Sequence, residues 1–152
     1  MIKRTPFTKE GHIKLLKEKE ELEKQRVDAV IGLRTAREMG DLSENAAYKV
    51  ARMRLSSVDR RLRVLNRVLE GAYIVRAMST DVVEVGSLVT VEGKDGERAF
   101  RIVNSHESDV LKGKISYYSP IGKALVGLRL NDKAMIKTPS GIIEYTIKKI
   151  TI

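Results

Sequence analysis

Residues 48–72, YKVARMRLSSVDRRLRVLNRVLEGA, decide the fold of the first half of the chain. Their apolar positions Tyr48, Ala51, Leu55, Val58, Leu62, Leu65, Leu69 and Ala72 alternate three and four apart. That alternation keeps one narrow seam turned towards a partner helix, so it predicts a coiled-coil strand. Upstream, from about Thr8 to Glu38, Leu15, Leu22, Ala29 and Ala36 recur at sevens, with Leu33 between the last two. This seam is sparser, because the intervening Lys19 and Arg26 are charged. The region up to Ala77 has a single proline, Pro6, and is rich in Lys, Glu, Leu, Arg and Ala, which lose little side-chain freedom in a helix. Between the two segments, Gly40 can take the left-handed conformation that ends a helix, and Ser43 or Asp41 can cap the next one. The expectation is an antiparallel hairpin with arms near ~30 residues and a length of ~45 Å at 1.5 Å per residue.

After Ala77 the period changes. The runs 87–91, 99–103, 134–137 and 142–147 are short and β-rich, and they are separated by Gly93, Gly96, Gly113 and Pro139-Ser140-Gly141. Pro120 to Leu128 reads as one short helix capped by Ser119. The expected fold class is therefore α+β in two domains: a hairpin over 1–77 with an acidic tip at 39–44, a linker at 78–85, and a small α+β domain over 86–152.

The composition excludes several functions. Among 152 residues there is no cysteine and no tryptophan, with 42% hydrophobic and 32% charged residues. A disulfide scaffold, a thiolate zinc site and a thiol nucleophile are excluded, and the two histidines, His12 and His106, are far apart in sequence. A His-based metalloenzyme or a Ser-His-Asp hydrolase is not expected. No apolar run approaches the ~18 residues of a membrane span, and the basic start lacks an apolar core behind it, so a cytoplasmic chain without a membrane partner is expected. The net charge is +9. Residues 1–77 hold 18 basic and 11 acidic side chains (+7), and the remainder 29 − 18 = 11 and 20 − 11 = 9 (+2). An excess concentrated on the hairpin points to a polyanionic partner, although a solvated basic surface would carry the same charge.

Asp41 and Glu44 lie three residues apart where the second helix opens. Such acids can simply favour the helix N-terminus, by ~0.3–1 kcal/mol each. They can also offer oxygen ligands to Mg²⁺, which typically takes one or two protein carboxylates with waters and phosphate oxygens. From spacing alone the capping account is preferred.

The run from Ala36 to Tyr48, AREMGDLSENAAY, resembles the tip signature of bacterial Gre transcript-cleavage factors. Gly113-Lys114-Ile115-Ser116 followed by 119–127, SPIGKALVG, resembles the segment those factors carry in their FK506-binding-protein-like C-terminal domain. The likeness covers nearly the whole chain, with one departure: Ala47 stands where the family commonly has Glu or Asp, which reduces the acidity of the tip. The resemblance implies a non-enzymatic elongation factor that binds RNA polymerase and passes its coiled coil through the secondary channel to the nascent RNA 3′ end. There it stimulates the polymerase's own Mg-dependent cleavage of backtracked RNA. The resemblance assigns Asp41 and Glu44 as the catalytic and metal-binding pair, Leu42, Ser43, Asn45 and Tyr48 as support for the tip, and Ser119, Pro120, Ile121 and Gly122 as the polymerase-docking surface. Mg²⁺ is expected only in the complex, with none held by the free protein. Asn45 and Ser43 would orient the acids or would simply be caps.

The second arm carries Lys49, Arg52, Arg54, Arg60, Arg61, Arg63 and Arg67 against Asp59 and Glu70. With Tyr48 at position a, Arg54 and Arg61 fall at g and Arg52 at e, where they can pair with Glu18, Glu21 and Asp28. Lys49, Arg60, Arg63 and Arg67 face away and, with Arg52, are the candidates for contact with RNA phosphates or an acidic channel wall; a solvated face is the other account. The arginine-rich stretch resembles the B subtype more than the A subtype. Met78 and Met135 are expected as apolar filler, and Phe100 and Tyr145 as core. Phe100, Tyr117, Tyr118 and Tyr145 could line a prolyl-isomerase pocket, but aromatics total only 5%. The rival functions are a channel-blocking inhibitor of the same fold, a free-standing RNA-binding coiled coil, and a prolyl isomerase. A hairpin satisfies its own seam, so a monomer is expected.

Overall fold

The computed structural model describes residues 3–41 and 44–152, which divide into two compact units. One is centred on Ile13–Gly71; the other comprises Arg4–His12 and Ala72–Ile152.

In the first unit, helix α1 (Lys9–Arg37) continues from its root in the other unit and turns back as α2 (Ala46–Glu70). The α2 seam is as its spacing predicts. Val58, Leu62 and Leu65 are buried and Tyr48, Ala51, Leu55 and Leu69 partly so, while the positions between them are mostly exposed. On α1, Leu15, Ala29 and Ala36 are buried, with Leu22 and Leu33 partly so. Among the described residues two ion pairs cross the hairpin, Arg26 Nε to Asp59 Oδ1 at 2.6 Å and Arg61 Nη2 to Glu18 Oε1 at 2.6 Å. Arg26 is nearer the turn than Glu18 on α1, and its partner Asp59 is nearer the turn than Arg61 on α2, as an antiparallel register requires. Arg26 therefore does not weaken the seam as its sequence position suggests; it spans it.

In the second unit, β1 (Thr5–Phe7) pairs in parallel with β2 (Ala72–Ile74). Five further strands form one sheet: β3 (Leu88–Gly93), β4 (Gly96–Val103), β5 (Lys114–Ser116), β6 (Lys133–Thr138) and β7 (Gly141–Thr151). Their order is β5-β4-β3-β7-β6, antiparallel except for β4 with β5. Alternate residues Val89, Val91, Phe100, Ile102, Ala134, Ile136, Tyr145 and Ile147 face one core, which Leu125 of helix α3 (Pro120–Leu125) also enters. Phe100 and Tyr145 meet edge to face with ring centroids 6.0 Å apart, both buried as expected.

Two features move the division between units away from the sequence expectation. Residues 72–77, assigned above to the hairpin, belong to the second unit because β2 pairs with β1. Within the presumed linker 78–85, Val83 is buried in the sheet core and Val82 bridges to Arg129. Met78 and Met135 are 75% and 54% exposed, so neither is core filler.

The root of α1 is held inside the second unit by a polar clamp. Asn104, fully buried, donates from Nδ2 to Pro6 O at 2.7 Å and to Glu107 Oε2 at 2.9 Å. The Glu107 carboxylate in turn accepts from the Thr8 amide at 3.2 Å and from the Thr8 hydroxyl. Phe7, also fully buried, lies between His12 and His106, with ring centroids 6.4 and 6.0 Å away. The two histidines thus serve a packing role at one place.

Candidate functional site

The turn between α1 and α2 is built from helix-ending chemistry. Helix α1 stops at Arg37, the Met39 amide closes back on Ala36 O at 3.2 Å, and Gly40 follows at φ +124°, a conformation that an L side chain rarely adopts. The cap of α2 is Asn45, in place of the Ser43 or Asp41 expected from sequence. Its Oδ1 accepts from the Tyr48 amide at 2.9 Å and its Nδ2 donates to Ala36 O at 2.6 Å. One side chain thereby satisfies an orphan donor at the start of α2 and gives the Ala36 carbonyl, which already accepts from the Met39 amide, a second donor. Asn45 is a double cap, which settles one of its two expected roles; Leu42 and Ser43 lie outside the described residues. Tyr48 packs partly buried at the first seam position, its ring centroid 5.9 Å from the Arg37 guanidinium carbon.

Asp41 and Glu44 are both exposed on this turn. Among the described residues no group of three or more His, Cys, Asp or Glu side chains converges. Two exposed carboxylates fit Mg²⁺ only as part of a larger oxygen set, completed by water, phosphate or another protein. Ala47, also exposed, adds no ligand and lines a shallow apolar depression with Met39, Ala46 and Val50.

The outer face of α2 is basic. Lys49, Arg52 and Arg60 border a depression with Met53, Ser56 and Ser57, and Arg63 and Arg67 are exposed beyond it. Of the expected cross-hairpin pairs only Arg61 with Glu18 forms. Among the described residues Arg52 and Arg54 make no ion pair with the first arm, and Glu21 and Asp28 are exposed.

The presumed docking surface on α3 divides in two. Ser119 caps the helix, accepting from the Gly122 amide at 3.0 Å and donating its hydroxyl to Ser116 O at 2.6 Å, while Pro120 is exposed. Ile121 packs against the core, and Gly122 is buried where a Cβ would stand 2.0 Å from Ser116 O. Gly122 is therefore a close-packing residue and no part of the exposed surface. The preceding Tyr117 and Tyr118 pack ring against ring at 4.2 Å, and Tyr117 also packs against the sheet core. Burial, with the hydrogen bond that the phenol donates to Tyr118, pushes Tyr117 well above its ordinary value.

An antiparallel coiled-coil hairpin with carboxylates on its turn, followed by a β-sheet domain, is the class of molecule these features define. Residues 5–74 match the family described as transcription elongation factor, N-terminal, and residues 78–152 the family described as transcription elongation factor, GreA/GreB, C-term. Similar proteins include the transcription elongation factor GreA of Pelobacter propionicus, 40% identical over 147 residues and 93% of each chain. GreA of Geobacillus kaustophilus is 39% identical over 155 residues, 99% of this chain and 97% of that one. GreA of Thermosipho africanus is 36% identical over 149 residues, 96% of each chain. The crystal structure of GreA factor homolog 1 (Gfh1) of Thermus thermophilus aligns over 99% of this chain and 100% of that one, at 27% identity and a TM-score of 0.47. The chain belongs to the GreA/GreB family of transcription elongation factors. These curated relatives carry the GreA name, whereas the arginine-rich second arm resembles the B subtype.

Proposed function

We propose that this elongation factor binds RNA polymerase, passes its hairpin tip through the secondary channel, and stimulates the polymerase's hydrolysis of backtracked RNA, which rescues arrested complexes. The observation that carries the reading is the placement of Asp41 and Glu44, exposed on a turn closed by another residue's side chain. Asp41 and Glu44 would hold Mg²⁺ together with groups of the polymerase, where the ion stabilises the attacking or leaving oxygen of phosphodiester cleavage. The tip supplies carboxylate oxygens, and the same acids can orient a water beside the scissile phosphate. Lys49, Arg52, Arg60, Arg63 and Arg67 present cations to RNA phosphates or to an acidic channel wall. Ser119 and Pro120 belong to the surface that meets the channel rim. The factor contributes a partial ligand set to another enzyme's reaction and acts as a monomer in the cytoplasm.

The test is cleavage of 3′-labelled RNA in a stalled, backtracked polymerase complex. Mg²⁺-dependent shortening by the unaltered protein, abolished by Asp41→Ala or Glu44→Ala variants that still bind polymerase, is the expected result. Binding without any stimulated cleavage would overturn this reading and leave a channel-blocking inhibitor, a role that the missing acid at Ala47 would suit.

A further inference from the structure

A cavity of about 230 Å³ in the second unit is lined by four cationic side chains from four separate segments. Lys9 opens α1, Arg76 follows β2, Arg101 lies in β4 and Lys114 starts β5. Glu10 is the one acid among the described lining residues, and its Oε1 stands 3.6 Å from Lys114 Nζ. With its side chain 84% exposed, that carboxylate is largely in water, where such a pair holds weakly. Among the described residues Lys9, Arg76 and Arg101 make no ion pair, so the lining sets four positive charges against one negative.

Like charges gathered round a concave wall repel one another and focus their potential into the cavity, which a convex solvated surface does not do. Arg101 is also held in place. Its Nη1 donates to Gly86 O at 2.8 Å, which uses one of five N–H groups and leaves others to match phosphate oxygens. Lys9 and Glu10 supply the first amides of α1, which have no acceptor within the helix. Guanidinium, ammonium and backbone N–H groups together are the donor set that a phosphoryl group takes. A nucleic acid fits poorly, because no described lining residue is aromatic and a base has no ring to stack on. The volume also lies below the ~300–1,000 Å³ of sites that enclose drug-sized ligands, so it suits a small anion.

We infer that Lys9, Arg76, Arg101 and Lys114 form an anion site for a phosphoryl group, filled by inorganic phosphate or pyrophosphate. Its occupancy is independent of the tip acids and of polymerase. Because the ligand joins the first turn of α1 to β4 and β5, its binding stabilises the second unit.

The experiment is isothermal titration calorimetry of the full-length protein with pyrophosphate, with phosphate and with ATP, at about 0.15 M salt and without divalent cations. The unaltered chain is compared with Lys9→Gln and Arg76→Gln, both at exposed positions, and with Lys137→Gln, which removes the same charge from an exposed site on β6 outside the cavity. Circular dichroism checks the fold of each variant, and thermal melts with and without pyrophosphate give a second readout. Pyrophosphate should bind at one saturable site and raise the melting temperature. Its dissociation constant should rise ~10-fold or more for Lys9→Gln and for Arg76→Gln, and less than about twofold for Lys137→Gln. ATP binding no tighter than pyrophosphate supports an inorganic occupant; tighter ATP binding, lost in the same two variants, supports the phosphoryl site with a nucleotide as its source. Neither saturable heat nor a raised melting temperature with any of the three anions overturns the inference. Equal weakening by all three substitutions also overturns it, since that is a diffuse response to net charge. So does binding of a naked RNA oligonucleotide that Lys9→Gln and Arg76→Gln abolish while pyrophosphate fails to bind.

Discussion

Replacing Asn45 with alanine should loosen both helices at once, and the two losses can be separated. The Asn45 side chain accepts from the Tyr48 amide at 2.9 Å and donates to Ala36 O at 2.6 Å, and the residue is partly buried. Loss of an N-cap costs about 1 kcal/mol, and loss of the hydrogen bond to the Ala36 carbonyl, which keeps the Met39 amide as its other donor, about 1 kcal/mol more, giving about 2 kcal/mol for Asn45→Ala. Asn45→Asp keeps the acceptor for Tyr48 and gains ~0.3–1 kcal/mol from a negative charge at the helix start. It loses the donor, however, and sets a carboxylate against the Ala36 carbonyl, so a net loss near 1 kcal/mol is expected. The assay is native-state amide exchange at Tyr48, with urea unfolding followed by circular dichroism. Two kcal/mol corresponds to protection reduced about 30-fold at Tyr48 in the alanine variant, against no change in an exposed control, Ser57→Ala. If Asn45→Asp proves as stable as the unaltered protein, the bond to Ala36 contributes nothing and the double-cap argument is wrong.

Gly122→Ala should destabilise the second unit by about 1–3 kcal/mol, because its Cβ would stand 2.0 Å from the backbone oxygen of Ser116; a denaturant midpoint equal to that of the unaltered chain would refute the close approach. Leu65→Ala, at a seam position 2% exposed, should cost the hairpin about 2–5 kcal/mol by urea unfolding, whereas Val64→Ala beside it should cost far less. Tyr117 gives a pH dependence. Its phenol is held above the ordinary value of 10.0, so the folded state keeps the proton that the unfolded chain releases. The stability tied to it is complete below about pH 10 and is lost as pH rises towards the folded value. Tyr117→Phe should therefore flatten the alkaline limb of a stability–pH profile, and an unchanged limb would contradict the assignment.

The parts of the fold that were legible are those in which a period repeats. The α2 seam shows at every turn from Tyr48 to Leu69, and β-runs such as 99–103 and 142–147 sit inside observed strands. Pairings between short, distant segments left no such signal. Strands β1 and β2 are three residues each, and their parallel pairing joins Thr5 to Ala72, so Ala72 reads equally well as one more seam position. Strand β7 runs on to Thr151 past a register shift opposite Thr90 and Val91, where an extra residue breaks the alternation that sequence reading depends on. Arg26 looked like a flaw in the first seam because a single sequence does not show its partner, Asp59, on the other arm. At the site, Asp41 and Glu44 could be singled out by residue type and position, but the choice of cap could not be made. Ser43, Asp41 and Asn45 are all good caps, and only the proximity of Ala36 O, nine residues back, favours the one that can donate as well as accept.

That choice of cap bears on the acids themselves. The account of Asp41 and Glu44 that needs no ligand makes them helix-start residues, stabilised by the dipole of α2. Yet α2 begins at Ala46 with no acidic residue in its first turn, and its side-chain cap is Asn45. Glu44 precedes the cap and Asp41 lies further out, where the dipole's effect has largely fallen away. Ala47, inside the first turn, is the place where an acid would gain most from the dipole, and there the chain has none. A sequence shaped by the dipole of α2 alone would have its acid at 47. The opposite arrangement leaves the carboxylates outside the helix, on a turn whose closure depends on a neutral side chain, and this is compatible with the proposed sharing of an ion with a partner.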